Sequence, residues 1–366
     1  MTELDVAVNL LWLAPGRVGG SEEYLTRQLA GLPAEARIAP RLFCQRALIA
    51  SHPELSARHR MIPMPIGRDW RGGRLLAEHT WLAARTRGAD VIHHAGGTAP
   101  AVGDRPILLT VHDLQYRTFP EFFSHQRLAY LRTMVPRSVR RAHVIATPSW
   151  YVRGTVIDAF GIDGRRVVVV PHGVPTIDPP GDARIDAARR SVGVAGRYLV
   201  YPAITHPHKG HHLLIDMLRR LDDIALVFIG GEGAAEPAVR QAIADADLGG
   251  RVVRAGRVDE ATRDALVAGA EALVFPSEYE GFGAPLVEAM DLGVPVVCSA
   301  APAIREVVAD AAVVVEESSG VAWAAAVTAA LSRREQLVAA GHTRRRVYTQ
   351  EASGAALAAA YRQAAE

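Results

Sequence analysis

Lysine is almost missing from this chain: of its 41 Lys and Arg residues, 40 are arginine, and the exception is Lys209. On a solvated surface the two cations are interchangeable, so the bias reads as genome composition. A position that keeps a compact ammonium on a flexible stem is then one where a planar guanidinium does not serve. Cysteine is equally scarce. Cys44 and Cys298 lie far apart, which leaves no disulfide framework and no zinc-ligand spacing. No apolar run approaches the ~20 residues of a membrane span. The opening MTELDVAVNLLWLAPG places acidic residues ahead of its apolar stretch, without the basic start of a signal peptide, and reads as a first buried strand. Charge of one sign is not in excess either: a formal net charge of +2 gives no electrostatic footprint for nucleic acid. These absences make a reduced, cytoplasmic setting the default expectation.

What is present is a chain of 366 residues, 49% hydrophobic and 22% charged, long enough for two domains with sizeable cores. Short Val/Ile/Leu runs alternate with helical patterns, as buried parallel strands do. In the first half these are 5–13, 41–45, 90–95, 107–112, 143–149 and 167–173, with a glycine-rich turn and a helix from about Ser21 to Leu32 after the first. A helical stretch between Phe122 and Arg141 carries Arg127, Arg132, Arg137, Arg140 and Arg141. A solvated face accounts for them; a surface for acidic lipid or acceptor phosphate is the alternative. Residues 174–184, with three prolines and a glycine, read as a linker. The alternation restarts at 197–203, 225–231, 251–256, 272–277, 294–299 and 311–316, and the last ~20 residues read as an alanine-rich helix. The expected class is α/β: two successive doubly wound units with ligands at the carboxyl ends of their strands.

The densest constellation is YEGFGAPLVEAMDLGVPVV, 279–297. A strand ending at Phe275 leads through the Glu280-Gly281-Phe282-Gly283 loop into a helix starting near Ala284, with Pro285 in its first turn and Gly293 past its end. Free N–H groups and the positive dipole end at such a helix start suit a phosphate or sugar hydroxyls, and glycines let the backbone come close. Glu280 ahead of the helix and Glu288 one turn inside it would repel a phosphate unless they accept from hydroxyls. Ribose and hexose supply those.

This segment resembles the C-terminal signature of the large family 4 of retaining GT-B glycosyltransferases, in which a Glu, seven residues and a second Glu carry Gly-Phe-Gly after the first. The resemblance implies a GT-B fold: two Rossmann-like doubly wound parallel-sheet domains facing each other across a cleft. The expected division is an acceptor-side domain over 1–176, a nucleotide-sugar-binding domain over 184–345, and a C-terminal helix over 346–366 that returns to the first domain. Carried over by position, Glu280 would bind the donor sugar, the backbone of Gly281, Phe282 and Gly283 its hydroxyls and diphosphate, and Glu288 the ribose. Four further segments follow in family order. Gly19 and Gly20 end an N-terminal glycine loop, with Ser21 as the expected N-cap, and would reach the diphosphate or the sugar. His112, after a strand, would lie beside the transferred sugar. Lys209 in THPHKG would neutralise the donor phosphates. Arg257 and Val258 would meet the nucleobase.

One departure stands out. The family has an arginine five or six residues before its lysine as a second phosphate clamp, where this chain has Ile204 and Ala203. His206 and His208 are the nearby candidates for part of that positive charge. A metal-dependent transferase would use an Asp-x-Asp pair; Asp245-Ala-Asp247 fits the string but falls at the end of a helical pattern and reads as a solvated turn. The expected enzyme is therefore a retaining hexosyltransferase of mannose or glucose type, with no metal and no cofactor. Lys209 and helix dipoles would carry the leaving-group charge. His112, Lys209 and Glu280 are its expected catalytic residues. GDP-mannose and UDP- or dTDP-linked sugars remain open as donors. Glycan, lipid-linked or small-molecule acceptors of cell-envelope biosynthesis are open too, read by loops such as 64–75 and 93–104, with peripheral contact at the inner face of the membrane as a further option.

Rival classes fit less well. A nicotinamide dehydrogenase needs G-x-G-x-x-G after a strand, and GGEGAAE (230–236) has Glu236 where the last glycine belongs. A pyridoxal-dependent phosphorylase would use a lysine Schiff base, and beside Lys209 the chain has no second lysine to pair with the substrate phosphate. The alternatives on the same fold are a sugar-nucleotide epimerase and a non-catalytic sugar-nucleotide-binding module.

Overall fold

The computed structural model describes residues 3–16, 19–65, 71–100, 103 and 105–366. The chain divides into two compact units, Met1–Pro175 with Tyr348–Glu366, and Thr176–Val347.

The first unit is built on a seven-stranded parallel sheet. Its strands are β1 (Leu4–Leu10), β2 (Ile38–Cys44), β3 (Arg60–Pro63), β4 (Val91–His94), β5 (Ile107–Thr110), β6 (Val144–Thr147) and β7 (Val167–Val169), in spatial order β3-β2-β1-β4-β5-β6-β7. The order reverses between β1 and β4, which makes their carboxyl ends the switch point of a doubly wound sheet. β4, β5 and β6 are buried along their whole length, the two-sided coverage that continuous apolar runs encode. Sequence reasoning missed β3. It is a half-exposed edge strand with two apolar residues, too short to show a period.

The Gln350–Ala365 helix belongs to this unit and completes its core with Leu357, Ala358 and Tyr361. Tyr361 hydrogen-bonds His93 Nδ1 at 2.9 Å, and His93 Nε2 bonds Thr110 Oγ1 at 2.7 Å. Alanine and glycine let this helix lie against the end of the Gly20–Ala30 helix: a Cβ on Gly354 would stand 2.0 Å from the Gly31 carbonyl oxygen. That gap admits no side chain.

The second unit carries six parallel strands, β8 (Arg197–Pro202), β9 (Ile224–Ile229), β10 (Val252–Gly256), β11 (Ala272–Phe275), β12 (Val296–Ser299) and β13 (Val313–Val315), in order β10-β9-β8-β11-β12-β13. Its switch point lies between β8 and β11, which pair directly through Ala272–Leu199 and Leu273–Val200. The linker read over 174–184 is shorter and firmer than its prolines suggest. A helix already begins at Asp182, Val174 bridges to Thr349, and Ile177 N donates to Asp291 Oδ2 at 2.7 Å.

Two local expectations are corrected. Ser21 does not cap its helix; the helix runs Gly20–Ala30 with Gly19 at the cap in a positive-φ conformation and no side-chain cap bond. The five arginines of the His125–Arg141 helix do not share one role either. Arg127, Arg132, Arg137 and Arg140 are exposed, whereas Arg141 turns in to bond the carbonyls of Pro100 and Gly103. Among the described residues no helix is long and apolar enough to cross a membrane.

Candidate active site

At the switch point of the second sheet, the chain after β8 and the chain after β11 are stitched together. Leaving β8, residues Pro207–Lys209 form a short 3₁₀ turn before the His211–Leu218 helix. Tyr201, wholly buried, donates its hydroxyl to the Lys209 carbonyl at 2.8 Å and therefore accepts from the Ser277 hydroxyl at 2.9 Å. Ser299 Oγ donates to the Ser277 carbonyl at 2.5 Å, and Glu278 N donates to the His208 carbonyl at 2.8 Å.

These bonds bring the two charged motif residues into contact: Lys209 Nζ donates to Glu280 Oε1 at 2.5 Å, with side chains 18% and 14% exposed. The pair is sheltered enough for its charges to act strongly and open enough for a ligand to reach them. From Glu280 the chain passes Gly281 and buried Phe282 to Gly283, whose φ of 97° places it in the left-handed region that favours glycine, and so turns into the Ala284–Asp291 helix. At the start of that helix Pro285 has no N–H and Leu286 N donates to the Gly283 carbonyl at 3.0 Å, and the positive dipole end lies at the loop that carries Glu280. Glu288, one turn in, is buried at 5% exposure with Arg263 Nη2 3.9 Å from its Oε1. Arg263 belongs to the Glu260–Ala268 helix, and its neighbour Asp264 has a carboxyl pushed up by burial, opposed by Arg263 and reinforced by Glu288. The structure thus brings Lys209 and Glu280 into contact and puts the 281–283 backbone and Glu288 on the loop and helix that follow Glu280. Arg257 and Val258 follow β10 two strands away on the same edge, Arg257 exposed and Val258 partly so.

The expected role of His206 and His208 as replacement cations is not supported. Burial first, and the Lys209 ammonium second, lower both pKa values, that of His208 to about 3, so both imidazoles are neutral near pH 7. Sequence reasoning missed what stands beside them. Glu236, 5% exposed, accepts from Thr205 Oγ1 at 3.0 Å and Arg254 Nη2 at 2.6 Å and pairs with Arg240 Nε at 2.7 Å. The only signal was a glutamate where a dinucleotide fold needs glycine. Asp245 and Asp247 lie exposed at and beyond the end of the Glu236–Asp245 helix, where Gln241 donates to Asp245 Oδ1 at 2.7 Å.

In the first unit, His112 follows β5 and reaches back to the β1/β4 switch point: its Nε2 donates to the Ala95 carbonyl at 2.9 Å. A carbonyl only accepts, so Nε2 carries the proton and Nδ1 is left as an acceptor. The edges of Trp12 and Tyr24 pack on the ring at 5.9 and 5.3 Å, and burial lowers its pKa to about 4 despite the bond to Ala95. Tyr24 comes from the helix that Gly19 and Gly20 open, and its hydroxyl donates to the Val170 carbonyl at 2.6 Å. The glycine loop is anchored by Glu22, which accepts from Gly16 N at 2.7 Å. Arg17 and Val18 of that loop, and residues 66–70, 101–102 and 104 of the expected acceptor loops, lie outside the described residues.

Two family profiles match this arrangement, one to each half of the chain: Glycosyltransferase Family 4 over residues 18–177 and Glycosyl transferases group 1 over 188–347. The chain belongs to the group 1 glycosyl transferases. Its two parallel-sheet α/β units are those of the GT-B fold. Among relatives, it is 29% identical over 214 residues to the O-antigen chain mannosyltransferase B of Escherichia coli, covering 57% of this chain and 56% of that one. It is 31% identical over 320 residues to the D-inositol 3-phosphate glycosyltransferase of Geodermatophilus obscurus, covering 81% and 65%. The chain therefore spans less than two thirds of either relative. Among solved structures, Anabaena HepE in complex with UDP and glucose aligns with a TM-score of 0.76 at 20% identity, over 97% of this chain and 98% of that one.

Proposed function

We propose that this chain transfers a hexosyl group from a nucleoside-diphosphate sugar to a glycan, lipid-linked or small-molecule acceptor, with retention of anomeric configuration and without a metal ion. The observation that carries the reading is the Lys209–Glu280 contact at the β8/β11 switch point, beside the start of the Ala284–Asp291 helix. Departure of a nucleoside diphosphate builds negative charge on the β-phosphate. Lys209 and the helix N–H groups are fixed cationic and dipolar partners for that charge, the kind of preorganised electrostatics that is often the largest catalytic contribution. Glu280 can release Lys209 to the phosphate and accept from sugar hydroxyls. Glu288, buried one turn further, suits the ribose hydroxyls.

His112 enters as a neutral ring. With Nε2 committed to Ala95, its Nδ1 accepts from a hydroxyl of the transferred sugar. No protein nucleophile is assigned; the departing phosphate takes the acceptor's proton, and the new bond forms on the face the leaving group vacates. The names of the relatives, mannosyl and inositol-phosphate glycosyl transferases, support a hexose donor and a hydroxyl acceptor. The UDP and glucose of the HepE complex support a nucleotide sugar. The reading is tested with Lys209→Ala. Transfer is expected to fall by about 10²–10³, the usual cost of losing one electrostatic partner of a developing anion, with the circular dichroism spectrum and melting behaviour kept. Near-normal turnover would sink the assignment of Lys209 to the leaving phosphate.

A further inference from the structure

The sheet of the first unit is covered differently on its two faces. Alternate residues of β1 divide between them: Val6, Val8 and Leu10 pack with the Gly20–Ala30 and Gln350–Ala365 helices, while Ala7 and Leu11 pack with Ala77 and Leu82. β5 divides in the same way. Leu108 points to the first face, and Ile107 and Leu109 lie on the second, under Val135 and Val139 of the His125–Arg141 helix and Val152 and Val156 of the Trp150–Phe160 helix. The second face is therefore roofed by the Arg71–Ala77, His125–Arg141 and Trp150–Phe160 helices.

The outer side of this roof is charged with one sign. Between Glu121 and Asp158 lie 36 residues with six arginines, two histidines and no aspartate or glutamate, in a chain whose whole net charge is +2. Two of the six turn inward: Arg141 donates to the Gly103 carbonyl, and Arg153 to those of Gly164 and Val167. Arg132, Arg137 and Arg140 do not. By the helical period they fall on the side opposite Val135 and Val139, and all three are exposed. Apolar surface lies on the same roof. Among the described residues of this unit, the large apolar side chains most open to solvent are Leu76, Phe122 and Trp150, at 54%, 39% and 64% exposure. Leu76 and Trp150 stand on two of the three helices, and Phe122 ends the turn that leads into the third. The Phe122 ring stacks on Phe119 at 5.3 Å, and Arg153 lies over the Trp150 ring at 5.3 Å.

Arginines alone would suit solvent or a nucleic acid. Exposed aromatic and aliphatic side chains among them complete a lipid interface, in which guanidinium groups meet headgroup phosphates and Trp, Phe and Leu enter the boundary with the acyl chains. We propose that this face docks the chain on an anionic lipid bilayer, with Arg132, Arg137 and Arg140 meeting the phosphates and Phe122 and Trp150 entering the interface. The inference goes beyond the nucleotide-sugar reading and does not rest on it. Phe122 and Trp150 follow the carboxyl ends of β5 and β6, the edge that also carries His112. A bilayer docked here borders the edge at which the proposed reaction would take a lipid-linked acceptor.

The test is flotation of the full chain with vesicles of phosphatidylcholine, alone or with about 30 mol% phosphatidylglycerol as the anionic lipid. The chain is expected to float with the anionic vesicles and not with the neutral ones, and salt at about 0.5 M should weaken the partition roughly tenfold or more by screening. Arg132→Gln, Arg137→Gln and Arg140→Gln together should weaken it about 100-fold, as the loss of three arginines near an anionic surface does. Arg184, Arg190 and Arg219 are exposed on the second unit; the same change there alters the net charge equally and should shift partition less than about threefold. Trp150→Ala should weaken it about tenfold through lost apolar contact. Every replaced side chain is exposed, so the melting temperatures should match that of the wild type. No flotation with anionic vesicles overturns the inference, and so does retention on duplex DNA in its place. Equal weakening by the control triple, or full partition of the Trp150→Ala protein, would show attraction by overall charge and overturns it as well.

Discussion

At the residue scale, the site turns on the one lysine in a chain that elsewhere writes every cation as arginine. Lys209 is 18% exposed, its carbonyl is held by Tyr201, and its ammonium meets Glu280 at 2.5 Å. A guanidinium is wider, planar and commits its donors in a fork, so under the proposed function it does not fit a contact that has to pass from a carboxylate to a phosphate. Lys209→Arg is therefore expected to keep the charge and lose most of the activity, falling below about a tenth of the wild-type rate, on the order of the loss of a positioned electrostatic partner. Steady-state transfer assays check this; a rate near wild type would mean that charge alone matters. Lys209, Glu280, Glu288 and His112 were singled out in the sequence by the family motifs they resemble, and the contact between the first two is what the structure adds. The neutrality of His206 and His208 was not, since it follows from burial and from the ammonium beside them. Glu236 was not legible either: Arg240 lies one turn on along the same helix, but Thr205 and Arg254 come from separate segments that only the fold brings to it.

At the element scale, two strand-to-helix connections make the crevice, and their mutual hydrogen bonds set its geometry. Tyr201 is the shared member, joining the Lys209 carbonyl to Ser277. Tyr201→Phe keeps the ring and leaves two buried groups unpaired, a loss of about 1–3 kcal/mol. Faster amide exchange over 205–210 and 276–283 and weaker donor binding are the expected result, and unchanged protection there would show that the two loops are held independently. The other element-level device is the contact of the C-terminal helix with the first unit. Gly354→Ala forces a methyl to 2.0 Å from the Gly31 carbonyl and should cost roughly 1–3 kcal/mol as overpacking does, read as a lower melting temperature. Continuous apolar runs made nearly every strand visible before the structure was known. The edge strand β3 escaped because its half-exposed residues follow no period, and the cap at Gly19 escaped because a positive φ leaves no trace in a Gly-Gly-Ser string.

At the scale of the whole molecule, burial of imidazoles makes stability depend on pH in a definite direction. His93, His94 and His208 are lowered to about 3 and His112 and His211 to about 4, in each case first by desolvation, with neighbouring cations and histidines adding to it for all but His112. The unfolded chain titrates these groups near 6.5, so below that pH it binds more protons than the folded chain, and stability falls as pH falls from about 6.5 towards 4. Each group contributes up to about 1.4 kcal/mol per pH unit in that window. His52, raised by Glu22 and Glu54, acts in the opposite sense but is a single group. Melting temperatures recorded at pH 7.5, 6.5 and 5.5 should therefore drop steeply at the acid end; a flat profile would mean that these rings are not buried neutral.

The central claim is a glycosyl transfer in which Lys209 and a helix start, and no metal, carry the leaving-group charge. It is tested most directly by following nucleoside-diphosphate release from a panel of nucleotide sugars, with envelope-glycan acceptor fractions, in excess EDTA, for the wild type and Lys209→Ala side by side. The account predicts that the wild type consumes a nucleotide sugar at the same rate with or without EDTA and that Lys209→Ala is slower by about 10²–10³. Loss of wild-type activity in EDTA that Mg²⁺ restores, or equal rates for the two proteins, would contradict it.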